Sequence, residues 1–151
     1  MASPKFHLFL SFLRKLGVTA PLTDQNYIAS PNAAADRALL DVVDLHLYGD
    51  HPEYPGRPWQ PPARFGNRSQ LARRLKAPLE LAPARLFGKP FMVTEFDICY
   101  PNEFRSEGAV LFGAFAAQQG WSGLFRFDYA GHHRGLFGKP DLRCFETAHD
   151  P

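Results

Sequence analysis

Cysteine is scarce in this 151-residue chain, which holds only Cys99 and Cys144. Two are too few for a disulfide framework, and neither belongs to a C-x-x-C or zinc-type spacing. Long apolar runs are missing as well. None approaches the roughly 18–20 residues of a bilayer-crossing helix, which argues against a membrane span. Charge of one sign is also in short supply. Seventeen Lys and Arg against fifteen Asp and Glu leave a formal net charge of +2. The basic residues are scattered, whereas a nucleic-acid partner calls for a clustered basic face. No internal repeat is present. Length adds an exclusion, because a complete eight-stranded α/β barrel needs roughly 250 residues. About 150 residues make one domain, here 1–151.

Phe and Pro are plentiful, at fourteen each. Phe supplies apolar bulk, and Pro implies long, stiffened loops. Hydrophobic residues at 45% and charged residues at 21% exclude a disordered or collagen-like chain.

Phe6, Phe9, Leu10, Leu13 and Leu16 recur on one face of an amphipathic helix that Gly17 ends. Lys5 and the apolar stretch after it imitate a signal peptide. Arg14 and Lys15 follow directly, however, with no small-residue cleavage site. Residues 18–22 read as a short strand interrupted by Pro21, opening into a polar loop with Asp24 and Asn26. Asn32 caps a short helix reaching Leu40. Residues 42–48 are β-branched, apolar or aromatic and predict a buried strand that stops at Gly49. Pro52, Pro55, Pro58, Pro61 and Pro62 then forbid regular structure in a loop carrying His51, Tyr54 and Trp59. Residues 69–75 predict a surface helix. Residues 91–96 predict a second clear strand. Asn102 caps a helix with Glu103 and Glu107 in its early turns, running to Gln119 and stopped by Gly120. Residues 121–129 predict the last strand, and nothing after Gly131 forms a convincing element. Strands alternating with helices imply an α/β fold with a parallel sheet.

In parallel α/β folds chemistry gathers at the C-terminal ends of the strands. Period two places Asp44, His46 and Tyr48 on one face of their strand, and Phe91, Val93 and Glu95 on one face of theirs. Glu95 is the most informative residue, because a carboxylate ending a buried strand needs partners or a chemical use. His46 and Tyr48 both lie within reach of it from the neighbouring strand, and a Tyr hydroxyl that donates to a carboxylate aims it. Asp44, lower on its strand, reads as a member of a buried polar network. Trp59, Phe127 and Tyr129 offer aromatic faces on which a sugar can stack, while Trp121 reads as core.

The stretches Val43-Asp44-Leu45-His46-Leu47-Tyr48, Gly88-Lys89-Pro90-Phe91-Met92-Val93-Thr94-Glu95-Phe96 and Trp121-Ser122-Gly123-Leu124-Phe125-Arg126-Phe127 together resemble part of a known barrel. It is the C-terminal half of the (β/α)8 catalytic barrel of retaining glycoside hydrolases of the cellulase-like superfamily, clan A. There a His-x-Tyr closes the sixth strand, a Lys-Pro…Thr-Glu closes the seventh, and an aromatic-rich eighth strand follows a helix. The resemblance spans roughly residues 10–130 and implies a partial barrel, strands five to eight. It implies Glu95 as nucleophile, Tyr48 as the residue orienting it, and His46 and Asn26 as sugar contacts. Phe127 or Tyr129 takes the place of an aromatic platform that is often Trp in the family. It implies a carbohydrate substrate and no cofactor or metal; enzymes of this type are often secreted or periplasmic, and the compartment stays open.

A retaining mechanism needs a second carboxyl group about 5–5.5 Å from the nucleophile. In the family this acid/base is a Glu after an Asn at the end of the fourth strand. The glutamates here are Glu53, Glu80, Glu95, Glu103, Glu107 and Glu146, and Asn102-Glu103 begins a helix instead. The expectation is therefore a fragment without its acid/base and without the final helix, showing little or no turnover alone. Open sheet edges and apolar helix faces predict self-association. Two further readings compete. One is a non-catalytic sugar-binding or inert half-barrel. The other is a metal-dependent hydrolase using His46, Asp50 and His51, with the adjacent His132 and His133 as further ligands.

Overall fold

A computed structural model of the chain describes residues 3–24, 26–27, 30–74, 76–131, 137, 144–148 and 150. Helix α1 spans Pro4–Lys15. Pro at its first turn wastes no N–H, since the first donors of a helix have no partner within it. At the other end Gly17 adopts φ +86°, and Val18 N–H and Gly17 N–H return to Leu13 O and Arg14 O. That is the glycine-dependent closure the sequence predicts. The expected apolar face is only partly used. Leu10 is buried and Phe6 and Leu13 are half-buried, while Phe9 and Leu16 stand in solvent beside Leu8 and Phe12.

Residues 18–22 do not form the expected strand. The carbonyls of Val18 and Ala20 are taken by the Arg14 guanidinium at 2.8 Å each. Arg14 also pairs with Asp41, whose carboxylate accepts from Leu22 N–H at 2.6 Å. A side chain thus satisfies the carbonyls a ladder would have used. The expected helix over 32–40 is a 3-10 turn, Pro31–Ala33, followed by the four-residue α2, Ala34–Arg37. It closes through tight turns in which Leu39 and Leu40 N–H bond back three residues.

Strands β1 (Val43–Asp50), β2 (Phe91–Ile98) and β3 (Gly123–Arg126) form a parallel sheet in the order β1-β2-β3. Helices α3 (Lys76–Glu80) and α4 (Ser106–Gln119) cover one face. The core lies between: Val43, Leu45, Phe91, Val93 and Phe96 from the sheet meet Ala77, Leu81, Ala84 and Phe112. Phe96 stacks on Phe112 with ring centroids 4.6 Å apart. Trp121 packs on the edge of this core, 5.4 Å from Phe91, as the sequence predicts. Gly120 closes α4 in the left-handed conformation, also as predicted.

Residues 69–75 contain turns rather than a helix among those described. The buried Gln70 side chain donates to Gly49 O at 2.9 Å and accepts from Ala77 N–H, fastening the segment to β1. Glu107 takes the N–H groups of Gln70 and Leu71 at 2.7 and 3.2 Å, so the carboxylate expected to serve α4 alone also holds this segment. Strand β3 ends earlier than expected. Beyond it, Asp128 and Tyr129 bond to residues 145–148 instead of continuing the sheet. The absence of a final helix and any role for His132 and His133 fall on residues outside those described.

One irregularity decides where the chemistry sits. Leu45 pairs with Val93, but the next residue of β1, His46, pairs with Glu95. Across the sheet, Val93 pairs with Leu124 and Phe96 with Arg126. Strand β2 therefore carries one residue more than its neighbours at Thr94-Glu95, a bulge. The core-facing residues run Phe91, Val93 and then Phe96. This corrects the period-two expectation: Glu95 does not share the face of Phe91 and Val93. The bulge turns both Thr94 and Glu95 toward the side chains of His46 and Tyr48.

Candidate active site at the C-terminal edge of the sheet

Asp44, His46 and Tyr48 project from β1 away from the core, and Thr94 and Glu95 meet them from β2. The side chains interleave into one polar chain. Thr94 donates its hydroxyl proton to the buried Asp44. With that proton spent, Thr94 Oγ1 accepts from His46 Nε2–H at 3.0 Å. Asp44 is thus the buried network member the sequence suggests. On the ring's other side, His46 Nδ1 lies 3.2 Å from Glu95 Oε2 without forming a hydrogen bond. Tyr48 Oη donates to the same Glu95 oxygen at 2.5 Å. The Tyr48 phenol is pushed well above its ordinary range, by burial first and by that bond second. Both effects keep it a donor at neutral pH. Glu95 Oε1 has no hydrogen-bond partner among the described residues.

Glu95 opens onto a cavity of about 520 Å³ lined by Tyr27, His46, Tyr48, His51, Trp59, Phe127 and Phe145, among others. It is the only carboxylate among the described lining residues. The walls are aromatic. Tyr48 lies 5.0 Å from Phe145 and 6.4 Å from Phe127, and His51 lies 5.6 Å from Trp59. Trp59 holds φ +61° and remains 63% exposed at the cavity. Beneath this edge Asp97, 1% exposed, pairs with Arg126 at 3.1 Å. Burial pushes the Asp97 carboxyl up to about 6, against the pull of Arg126.

The structure brings together Glu95, Tyr48, His46, Trp59 and Phe127. Asn26 reaches the site indirectly: its amide lies 3.1 Å from His46 Nε2, and its carbonyl accepts from His46 N–H at 2.7 Å. Tyr129 is 69% exposed and is not among the residues described as lining the cavity. Tyr27 and Phe145 escaped the sequence reading. Tyr27 sits edge-on to His46 at 4.8 Å, and Phe145 comes from a stretch with no periodic signal.

The metal reading gains no support from the geometry. His46 faces Glu95, whereas the Asp50 carboxylate is taken up by Gly66 N–H, Asn67 N–H and the Asn102 amide at 2.8–3.1 Å. His51 Nδ1 donates to Pro52 O at 2.9 Å. Among the described residues no three His, Cys, Asp or Glu gather as a metal site would require. No protein-family model, curated protein or solved structure matches the chain.

Proposed function

We propose that the chain carries the nucleophile side of a retaining glycoside hydrolase, with β1, β2 and β3 corresponding to the sixth, seventh and eighth strands of a (β/α)8 barrel. The observation that carries this reading is the 2.5 Å bond from Tyr48 Oη to Glu95 Oε2 at the C-terminal edge of a parallel sheet. It holds one carboxylate oxygen in place and leaves the other for an anomeric carbon. Aromatic walls suit the apolar faces of a sugar. In this reading Glu95 fills one of the two carboxyl roles of the mechanism, and the acid/base comes from outside the described residues.

The test uses a leaving group that needs no acid. A 2-deoxy-2-fluoroglycosyl fluoride reacts by forming a bond from the Glu95 oxygen to the anomeric carbon. The carbon–fluorine bond breaks, and fluoride departs with the electron pair. Peptide mapping of the chain after exposure to a panel of such fluorides should place the label on Glu95, and Glu95→Gln should abolish it. A label on another residue, or one that survives Glu95→Gln, would overturn the assignment.

A further inference from the structure

A second cavity, of about 420 Å³, opens on the other side of His51 and is lined by Asp50, Glu53, Arg64, Arg68 and Arg73. Its arginines are the unexplained feature. None of the three forms an ion pair or a side-chain hydrogen bond among the described residues. Asp50 cannot serve as their partner, because both its oxygens hold the Gly66–Asn67 backbone and Asn102. Glu53 is bridged to Arg64 through the backbone only, at 2.9 Å in each direction. Three guanidinium groups facing one concavity repel each other, and a bound anion relieves that repulsion. The planar fork of Arg matches a carboxylate or sulfate in bidentate fashion. The framework is also set in advance. Asp50 pins the loop between Arg64 and Arg68, so little ordering remains to be done on binding.

His51 lines both cavities. Its ring lies 5.3 Å from Tyr48, which holds Glu95. The two cavities therefore adjoin at His51. We propose that this cavity is an anion subsite, which takes the carboxylate or sulfate ester of an acidic oligosaccharide whose anomeric carbon lies at Glu95. The inference rests on the glycoside hydrolase reading for the second half of that statement and on the arginines for the first.

Calorimetric titration separates the two. The probes are a glucuronic-acid-containing trisaccharide, its carboxyl-reduced neutral counterpart, and the neutral counterpart bearing one sulfate ester. At least one acidic probe should bind about tenfold or more tightly than the neutral one. The gap should narrow between about 50 mM and about 300 mM salt. The better of the two identifies the anion. Arg64→Gln combined with Arg68→Gln, both exposed positions, should erase the preference without moving the melting temperature, and Arg73→Gln should weaken it. Equal affinity for acidic and neutral probes, no measurable binding of either acidic probe, or a preference that survives the arginine substitutions would overturn the subsite. An arginine-dependent preference without fluoride labelling at Glu95 would keep the anion site and overturn the hydrolase reading. Labelling without the preference would do the reverse.

Discussion

The two cavities that meet at His51 are built by different means. The Glu95 cavity stands on the sheet: three of its polar groups, His46, Tyr48 and Glu95, come from facing positions of β1 and β2, and the strand register sets their distances. The arginine cavity stands on loops, and one carboxylate, Asp50, organises it by gathering backbone N–H groups. Geometry set by a sheet depends on the packing beneath it. Geometry set by a loop depends on a few hydrogen bonds. The two should therefore fail under different substitutions, and that difference can be measured.

The largest effect is expected under the sheet. Phe112 is fully buried and stacks on Phe96, the residue after Glu95. Phe112→Ala should cost about 3–5 kcal/mol of stability and slow fluoride labelling at Glu95. Denaturant unfolding alongside a labelling time course checks both, and unchanged stability would break the distinction. Next comes a pH effect. Asp97 is raised from 3.8 to about 6, so the folded chain keeps a proton that the unfolded chain releases near 3.8. Stability from this group is greatest below about pH 4 and declines as pH rises through about 6, by up to about 3 kcal/mol. Asp97→Asn should remove that slope. Parallel stability–pH curves for the two proteins between about pH 4 and pH 7 would contradict it.

Smaller effects sharpen the contrast. Asp50→Ala removes the acceptor for Gly66 N–H, Asn67 N–H and Asn102, and should cost about 2 kcal/mol. Its signature is local: amide exchange should quicken at residues 66–67 and stay unchanged at residues 93–96. Quickening spread evenly over both segments would mean the loop is not independently organised. The smallest effect is expected at Tyr48. Tyr48→Phe keeps the ring but loses the donor, and labelling should slow about tenfold, or about 1.4 kcal/mol in the barrier. An unchanged rate would show that Glu95 needs no aiming from β1.

The sheet-borne parts were the legible ones. Strands β1 and β2 follow from dense apolar and β-branched runs, and α4 from its apolar stretch closed by Gly120. His46 and Tyr48 on one face follow from period two. The approach of Glu95 to them was expected, but for an incomplete reason. Thr94-Glu95 shows no residue signature of a bulge, so strict alternation placed Glu95 on the core face. Residues 18–22 misled because Arg14, a side chain eight residues before Leu22, supplies what a neighbouring strand would have. Residues 69–75 misled because the pull on Gln70 comes from Gly49 and Glu107, both distant in sequence. Phe145 and Tyr27 reach the cavity only through folded backbone, and no local pattern announces them.

The extra residue in β2 works like a vernier set between two regular scales. Up to Val93 the strand is in step with β1; from Glu95 the count is offset by one, until a second shift between Tyr48 and Asp50 cancels it. Removing Thr94 would bring the scales back into step and give a more regular ladder. Glu95 would still fall on the side of His46, but the hydroxyl that joins the buried Asp44 to His46 would be gone, leaving that carboxylate without its donor. At this one position a tidier ladder and the polar chain behind Glu95 exclude each other. The extra residue is what lets β2 present two successive side chains, Thr94 and Glu95, to His46 and Tyr48.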